Sequence, residues 1–440
     1  MNNPEFRRNL WLSFSPHRLI GLPALLGLIF LAVALIDSFA RAASLYYTAA
    51  ALFIIAVWVM GGSRASAAIV DELRDKTWDQ QRMSALSPWT MTWGKLFGAT
   101  ALGWYLGLIC LPVMVFSGIA AGRADWPLDL FLLVATGILI HAFSLAVSVH
   151  AARWEMEIFQ RRGMGMIGFV FAFMALQSFM FIPQIEAASA RPVLWWGMNM
   201  GSPKLFLLES VVLFMACATF GAWRLMSNAL QVRTLPWAWP LFVLILTVYV
   251  GGFSDGKWFS LAGFFIATVF CYATLISEPN TPLVWNKLRL RLQAGDWHGL
   301  LAELPLWPTT FLLALIFALA AMLNWPAELT KWPRPASPAV PLAIALLLLR
   351  DAAIVLFFSF APRARRAAGL ALLYIAVLDF LLPFLFQNLG LRPVAYFFSP
   401  YSQILSSGNY GTGLIDLTLA TLHAAIALGC MAWRFKKANA

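Results

Sequence analysis

The chain alternates between long apolar runs and short polar segments along its whole length. Each run holds about 20 residues with almost no charge, which is the length an α-helix needs to cross roughly 30 Å of hydrocarbon. The runs are continuously apolar, whereas a membrane β-strand alternates and is about half as long. The pattern therefore predicts an all-α polytopic membrane protein with about 12 transmembrane helices, at about 19 to 40, 45 to 66, 96 to 120, 128 to 149, 164 to 184, 206 to 226, 237 to 253, 258 to 277, 308 to 323, 339 to 360, 367 to 386 and 414 to 433.

Weak internal repetition divides the chain into two halves. In each half the final span ends at an aromatic residue followed by a basic one, Trp223-Arg224 in the first and Trp433-Arg434 in the second. The predicted domains are therefore 1–235 and 236–440, each a transmembrane half with six spans. Because six is an even number, the two halves would have the same orientation and form parallel six-helix repeats.

A long, partly apolar segment precedes the last span of each half, at 185–205 and 387–413. Each contains a pair of aromatic residues and is too short to cross the membrane twice. Two explanations are open at this point. The segments either re-enter the outer leaflet as half-helices or lie at the interface as loops anchored by their aromatic side chains.

Composition and charge agree with a lipid environment. Hydrophobic residues make up 61% of the 440 residues and charged residues 12%, with a mean hydropathy of +0.76, whereas soluble proteins carry roughly 25% charged residues. The formal net charge of +11 is spread over short segments between spans, which favours contact with anionic lipid and argues against a nucleic-acid partner. Most of the 31 Lys and Arg residues fall on the side of the predicted spans that also holds both termini. We therefore expect a multi-pass protein of the cytoplasmic (inner) membrane with both termini in the cytoplasm.

The cysteines indicate neither a disulfide framework nor a metal site. All four fall inside predicted spans without CxxC spacing, and they are expected to be packing residues: Cys110, Cys217, Cys271 and Cys430. No metal site is predicted elsewhere in the chain. The first apolar run is too long for the core of a signal peptide, so we expect it to remain as the first anchor.

The densest group of charges, residues 70–89, follows the second predicted span. It lacks a clean apolar stripe, which favours a solvated or surface-lying helix. Ser87-Pro88 interrupts that helix, and Pro88 suits the first turn of the next one. The pattern predicts an elbow that descends from one span, runs along the inner surface and returns.

The charges of this elbow are poorly arranged to stabilise it as an isolated helix. Glu72 and Lys76 attract at a spacing of four residues, but Asp75 and Asp79 repel at the same spacing. An ordinary solvated elbow is one explanation, and the repulsion slightly favours the other, a segment that binds a partner.

The elbow resembles the first inner loop of permeases of the ABC-2 family, the membrane subunits of ATP-binding-cassette transporters. The matching positions are Glu72, Arg74, Asp75, Thr77, Leu86, Ser87, Pro88, Gly94 and Lys95. Residues 3–8, Asn-Pro-Glu-Phe-Arg-Arg, resemble the short interfacial helix of that family, and the plan of six spans per half is similar over most of the chain. There are two departures. Lys76 stands where the family usually has Gly, and the equivalent loop of the second half, 278–282, keeps only its acidic start.

This resemblance implies that an ATPase-docking loop binds a separate nucleotide-binding subunit, through Glu72, Arg74, Asp75, Thr77, Ser87, Pro88 and Lys95. ATP and magnesium would belong to that partner, and this chain would bind no cofactor and carry no catalytic residue. No GxxxxGK[ST] motif occurs, since the nearest approach, Gly251 to Lys257, is followed by Trp258 instead of a hydroxyl residue. The substrate, with lipids and amphipathic molecules as candidates, and the direction of transport are open. The sequence is compatible with a pathway formed by one chain and with one that includes a second permease copy.

Few ionisable residues lie inside the predicted spans, and each costs about 2.5 to 3.5 kcal/mol there. Arg350 and Asp351 are neighbours in the tenth span, Asp379 lies in the eleventh, and His141 lies in the fourth. Neighbours on a helix project in different directions, so we expect Arg350 to pair with Asp379 across adjacent helices and not with Asp351. These residues line a transport pathway or clamp helices together. His141 and His423 are expected to be packed histidines.

Two other classes of function are weighed against the permease. An ion-coupled secondary carrier also uses parallel six-span repeats, but its sites lie on helices broken in mid-membrane, and such breaks are scarce here. A membrane-embedded transferase would need paired carboxylates or a His/Asp cluster at one membrane face, and Glu155 and Glu157 face apart on a helix. Both stay behind the permease.

Overall fold

The helices of the chain group into two units. A computed structural model describes residues 3–37, 40–84, 86–153, 192–232, 235–254, 256–278, 280–326, 337–361, 367–398 and 413–438. Unit 1 comprises Met1–Leu194 and Asn199–Thr234, and unit 2 comprises Trp195–Met198 and Leu235–Ala440. The described residues are helical apart from loops and one pair of two-residue strands.

Unit 1 begins with a short helix before its first long apolar helix. Its helices are α1 (Pro4–Ser13), α2 (Pro16–Ile36), α3 (Arg41–Phe53), α4 (Gly62–Ala67), α5 (Val70–Arg74), α6 (Trp78–Arg82), α7 (Pro88–Gly98), α8 (Ala101–Ala120), α9 (Trp126–Arg153) and α10 (Pro203–Ala229). A π-helical segment, Ile54–Gly61, joins α3 to α4. In this unit α1 packs on α7, α3 on α8, and α9 on α10.

The described residues of unit 2 form ten further α-helices. They are α11 (Ala238–Gly251), α12 (Phe259–Ser277), α13 (Pro282–Gln293), α14 (Trp297–Glu303), α15 (Leu306–Leu323), α16 (Val340–Ser359), α17 (Ala367–Ala376), α18 (Leu382–Asn388), α19 (Arg392–Phe398) and α20 (Gly413–Ala438). A second π-helical segment, Val377–Leu381, joins α17 to α18. Here α12 packs on α15, and α16 packs on α15, α17 and α20.

Ten helices of the described residues are long and apolar enough to cross a membrane, and the protein is therefore an all-α, multi-pass membrane protein. They are Pro16–Ile36, Arg41–Arg74, Ala101–Ala120, Trp126–His150, Pro203–Ala229, Phe259–Ser277, Leu306–Leu323, Val340–Ser359, Gly369–Asn388 and Ile415–Ala438. Each overlaps a span predicted from the sequence. The predicted seventh span corresponds to a shorter apolar helix, Ala238–Ser254, and the predicted fifth span, 164–184, lies outside the described residues.

The two units have separate apolar cores. In unit 1, Phe53, Val57 and Trp58 pack with Cys110 and Leu133 between α3, the first π-helical segment, α8 and α9. In unit 2, small residues of α15 and α16 let the aromatic side chains of α12 and α15 interlock, as where Phe259 meets Phe317 edge to face. Small residues at such contacts allow close packing where lipid offers no hydrophobic driving force between helices.

The two predicted outer segments differ in the parts that the structure describes. The first forms a hairpin of β1 (Leu194–Trp195) and β2 (Met198–Asn199). Its indole N–H groups donate to the backbone, from Trp195 to Tyr249 and from Trp196 to Val248. For this segment, a hairpin anchored by tryptophans agrees better with an interfacial loop than with a half-helix that re-enters the membrane. In the second segment α19 is a seven-residue helix, and 399–412 lie outside the described residues.

Candidate functional site

A cluster of four charged side chains connects α1 with the elbow after the second span. The Nζ atom of Lys95 lies 2.6 Å from both carboxylate oxygens of Glu72 and 2.9 Å from Oε1 of Glu5. Arg8 Nη1 lies 2.9 Å from Glu72 Oε1 and 3.2 Å from Glu5 Oε1. The side chain of Lys95 is only 1% exposed. Two cations thus neutralise two carboxylates at a buried position, the arrangement that buried charges require.

Neutral polar groups complete the hydrogen bonds of this cluster. Gln81 donates to Glu72 Oε1 through Nε2 (2.7 Å) and accepts from Lys95 Nζ through Oε1 (3.0 Å). Asn9 donates to Glu5 Oε1 at 2.9 Å. The ring of Trp78 lies 5.9 Å from Lys95 Nζ and covers one side of the ammonium. Side chains from α1, α5, α6 and α7 therefore meet at one point.

Helix caps fix the first turns of α1 and α7, the helices that carry Glu5 and Lys95. The side chain of Asn3 accepts from the backbone N–H groups of Glu5 and Phe6, and its amide donates to the carbonyl oxygen of Thr90 at 2.8 Å. Ser87 caps α7 by accepting from the N–H of Thr90, and α7 begins at Pro88 as the sequence predicts. One residue thus caps α1 and binds the first turn of α7.

Two glycines of α7 let α1 approach it closely. A Cβ atom on Gly94 would lie 2.6 Å from Cβ of Glu5 and 3.0 Å from the backbone nitrogen of Phe6. A Cβ atom on Gly98, one turn later, would lie 2.8 Å from Cβ of Asn9. Small residues four apart are the known pattern for such close helix contacts. Because Gly94 and Gly98 have no side chains, α1 packs closely on α7 and Glu5 lies within reach of Lys95.

The cluster changes the ionisation of its members. Burial alone would raise the pKa of Glu5, but the charges of Lys95 and Arg8 and the hydrogen bonds from Lys95 and Asn9 outweigh it, so the pKa lies below its usual value. Burial opposes the charge of Arg8 as well, yet Glu72 and Glu5 raise its pKa. Both groups are charged at neutral pH.

A tight turn separates α5 from α6, so the elbow is two short helices and not one. The N–H of Thr77 donates to the carbonyl of Glu72 at 2.9 Å, and the N–H of Lys76 donates to that of Leu73 at 3.2 Å. This pair of bonds is the Schellman motif, whose penultimate residue adopts the left-handed conformation. Lys76 has φ = +56°, the conformation in which Gly is least strained.

This turn corrects two expectations about the charges of the elbow. The expected attraction between Glu72 and Lys76 is absent from the described contacts, because the helix ends at Arg74 and Glu72 binds Lys95 and Arg8 instead. The expected repulsion between Asp75 and Asp79 also loses its basis, since the two residues do not share one helix.

The structure separates the predicted docking residues into two groups. Glu72 and Lys95 are buried in the cluster, and Thr77 is partly buried against the backbone of Glu72, to which its hydroxyl donates at 3.3 Å. The other group lies at the surface or partly exposed in the elbow: Arg74, Asp75, Ser87 and Pro88. The first group holds the elbow to α7 and α1, and the second is accessible to another molecule.

A second buried ionic contact in unit 1 was not predicted. Asp129 of α9 accepts from the hydroxyl of Tyr46 at 2.6 Å and lies 2.6 Å from Nζ of Lys204. Arg123 stacks over the ring of Tyr46 at 4.8 Å. In the sequence, Arg123 and Lys204 lie between predicted spans, far apart along the chain. Only the fold brings both to the carboxylate of Asp129.

The intramembrane charges of unit 2 meet in one cluster. Arg350 Nη2 lies 2.8 and 2.7 Å from the two carboxylate oxygens of Asp379, which belongs to the second π-helical segment. Tyr272 donates to Asp351 Oδ2 at 2.5 Å. His423 of α20 interacts electrostatically with Arg350 and Asp379.

The expectation that Arg350 and Asp351 do not pair is wrong. Arg350 Nε donates to Asp351 Oδ1 at 2.8 Å. The Cβ atoms of neighbouring residues do diverge, but the long arginine side chain turns back and bridges Asp351 and Asp379 at once. His141 belongs to unit 1 and is not part of this cluster.

His141 is fully buried against the first π-helical segment. Its Nε2 lies 2.7 Å from the carbonyl oxygen of Val57, and its ring meets that of Trp104 edge to face at 5.5 Å. A Cβ atom on Gly61 would lie 2.3 Å from Nε2 of His141. The histidine thus occupies the space that Gly61 leaves open.

No group of three His, Cys, Asp or Glu side chains in the described part of the chain is arranged to hold a metal ion. The chain matches no family model, no curated protein and no solved structure.

Proposed function

We propose that this chain is the membrane-spanning permease of an ATP-binding-cassette transporter of the ABC-2 type, driven by ATP that a separate subunit hydrolyses. The observation that carries the proposal is the contact of Glu5 and Glu72 with Lys95. This contact joins 3–8 with 70–98, the two segments on which the resemblance to that family rests.

The accessible face of the elbow supports docking of a partner. Asp71, Arg74, Asp75 and Asp79 are exposed, and the ion pairs within the elbow, Arg74 with Asp71 and Arg82 with Asp79, are 3.6 and 3.5 Å long. Exposed pairs of this kind contribute about 0 to 1 kcal/mol. A partner with complementary charges would therefore displace them at little cost.

The buried face of the elbow supports transmission of movement. Lys95 lies on α7, which is followed after two residues by the membrane helix α8. Because Glu72 holds the elbow to Lys95 and Glu5 holds α1 to the same ammonium, a partner that displaces the elbow would also displace α7, α8 and α1. This is the kind of rigid coupling through which closure of an ATPase would bias one of two helix packings.

The remaining properties follow from this assignment. The permease would lie in the cytoplasmic membrane with both termini in the cytoplasm, bind no cofactor itself, and leave ATP and magnesium to its partner. Its substrate would be a lipid or another amphipathic molecule. One chain or a pair of permease copies would enclose the path.

Co-purification from the native membrane tests the proposal. The tagged chain is isolated under mild conditions, and associated proteins are identified by mass spectrometry alongside an ATPase assay. We expect a Walker-type ATPase, and we expect charge reversal at the exposed Arg74, in Arg74→Glu, to lower its recovery at least about tenfold. Because Arg74 is exposed, the variant is expected to fold.

The matched control is Arg18→Glu, an exposed arginine at the start of α2. It changes the net charge in the same way as Arg74→Glu and should leave ATPase recovery unchanged. Recovery of the wild-type chain without any ATPase would overturn the proposal. Equal losses in the control and in the elbow variant would show that net charge, not docking, decides recovery, and would also count against it.

An ion-coupled secondary carrier is the second candidate, favoured by the buried cluster of Arg350, Asp351 and Asp379. Such clusters of intramembrane charges often mark ion or proton pathways. Transport that persists without ATP and stops when a protonophore collapses the proton gradient would favour the carrier over the permease.

A further inference from the structure

Four buried side-chain polar atoms of unit 1 have no hydrogen-bond partner among the described residues. One is Nε of Arg123, and the other three lie on α8 and α9: Nδ1 of His141, Nε1 of Trp104 and Oγ of Ser144. His141 and Ser144 are fully buried and lie one turn apart on α9. Buried polar groups are nearly always hydrogen-bonded, so three orphaned atoms near one another point to a ligand.

The hydrogen bond of His141 determines that its unpaired ring nitrogen is an acceptor. Nε2 faces the carbonyl oxygen of Val57 at 2.7 Å, and a carbonyl oxygen only accepts, so Nε2 carries the hydrogen. In the neutral ring Nδ1 is then an acceptor. The indole Nε1 of Trp104 is a donor, and the hydroxyl of Ser144 is both. A group that donates and accepts at once, a hydroxyl, matches this set, whereas a carboxylate or an ammonium would lack a countercharge.

Unit 1 also has an apolar groove with a volume of about 310 Å³, and its wall contains Phe97, whose ring neighbours that of Trp104. Its walls include Trp89, Trp93, Phe97, Ile138, Thr219 and Phe220, and none of its lining side chains is charged. The hydroxyl of Thr219 is satisfied by the carbonyl of Met215 at 2.8 Å. The groove thus suits a hydrocarbon chain and offers nothing to an ion.

Ring contacts connect the wall of the groove with Trp104 and His141. The ring of Phe97, in the groove wall, lies 6.5 Å from that of Trp104, which in turn lies 5.5 Å from the ring of His141. Ile138, also in the wall, lies one turn before His141 on α9. His141 also contacts the π-helical segment Ile54–Gly61 through the carbonyl of Val57, and such a deviation is frequent at functional sites.

We propose that His141, Trp104 and Ser144 bind the hydroxyl group of an uncharged lipid whose hydrocarbon chain occupies the groove. This inference rests on the proposed permease function in that the lipid would be its substrate. Water has the same donor and acceptor groups as a hydroxyl, but the adjoining groove is apolar and favours the lipid.

Binding to the purified full-length chain in phosphatidylcholine nanodiscs tests the site. The probe is dioctanoylglycerol, the charged comparison is dioctanoyl phosphatidic acid, and the readout is native mass spectrometry with the shift in thermal unfolding midpoint. We expect saturable binding of dioctanoylglycerol only. Trp104→Phe, which removes the N–H and keeps a ring, and Ser144→Ala should each weaken binding about tenfold.

The matched control is Trp58→Phe, because the indole of Trp58 already donates to the carbonyl of Leu133 at 2.9 Å. It should lower stability without changing probe binding. Without probe, Trp104→Phe should leave stability unchanged or raise it, since it removes an unpaired donor. Absence of saturable binding, equal binding of phosphatidic acid, or unchanged binding in Trp104→Phe would overturn the inference, as would water alone at the three atoms.

The two proposals fail separately. The binding assay contains no ATPase, so lipid binding by a chain that recovers no ATPase would uphold the site and refute the permease. Recovery of the ATPase with no lipid binding would do the reverse.

Discussion

The ammonium of Lys95 lies 2.6 Å from both carboxylate oxygens of Glu72, a residue 23 positions earlier in the chain. The same ammonium lies 2.9 Å from Glu5, 90 positions earlier. One side chain therefore fixes an N-terminal helix, an exposed elbow and the helix that leads into α8. In the proposed permease, a movement of the elbow would reach α7 and α8 through this contact.

Removal of Lys95 should be among the most damaging single changes in unit 1. Lys95→Met leaves Glu5 and Glu72 buried with only Arg8 as a cation, and breaking a buried ion pair on one side costs about 3 to 5 kcal/mol. The measurement is the thermal unfolding midpoint in detergent. Lys95→Met combined with Glu72→Gln should be less destabilised than the sum of the two single variants, because the second change removes the unpaired charge. Additive losses would contradict the ionic account.

The lowered pKa of Glu5 predicts a specific dependence of stability on pH. Its folded pKa lies below the unfolded value, near 4.5, so Glu5 stabilises the fold fully above that value. This contribution is lost as the pH falls through the lower folded pKa. Unfolding midpoints measured from about pH 6 to about pH 3 should fall more steeply in the wild type than in Glu5→Gln. Parallel curves would show that Glu5 does not titrate in this way.

The hydropathy pattern was sufficient to predict the ten long apolar helices of the described residues, because lipid requires each spanning segment to satisfy its backbone internally and to be apolar along its length. The pairing of charges needed the fold. Nothing local in the sequence selects Lys95 over the other basic residues as the partner of Glu5. The four-residue spacing of Gly94 and Gly98 was the available signal, since it marks the face of α7 that another helix approaches.

Two other features show where local patterns mislead. The rule that adjacent helical residues face apart describes Cβ directions, and the length of the Arg350 side chain overcomes it. The π-helical segments cannot be recognised from the sequence either, because their residues are as apolar as those of the flanking helices. His141 and Asp379 make their contacts at these segments, and hydropathy gives no indication of either.

Lys76→Gly should stabilise the elbow. Lys76 has φ = +56°, and a left-handed conformation costs a residue with a Cβ about 1 to 2 kcal/mol. The larger conformational entropy of Gly in the unfolded chain offsets part of this gain. We therefore expect a net gain of about 0.5 to 1 kcal/mol in the free energy of unfolding. The unfolding midpoint of the purified protein measures it. Lys76→Ala keeps the Cβ and removes the rest of the side chain with its charge, so an equal gain in that control would refute the backbone explanation.

The charge balance of the Arg350 cluster predicts non-additive behaviour. Asp351→Asn or Asp379→Asn leaves one carboxylate to neutralise Arg350, and each should cost less than the double variant. The double variant leaves a buried guanidinium without a countercharge among the described residues, a loss of about 3 to 5 kcal/mol. Unfolding of the four proteins under the same conditions gives the coupling energy. A double variant no worse than the sum of the single ones would indicate that the guanidinium has another countercharge.

Gly94→Ala tests whether close contact between α1 and α7 is required. The added methyl group would lie 2.6 Å from Cβ of Glu5 and 3.0 Å from the backbone nitrogen of Phe6, so α1 must move. Overpacking of this kind costs about 1 to 3 kcal/mol. Gly27→Ala in α2 is the control, because a Cβ there meets nothing within 4 Å and alanine favours a helix by about 0.5 to 1 kcal/mol. The two substitutions should shift the unfolding midpoint in opposite directions. If both raised it, α1 would be free to move from α7 without loss, and the close contact between these two helices would not be required.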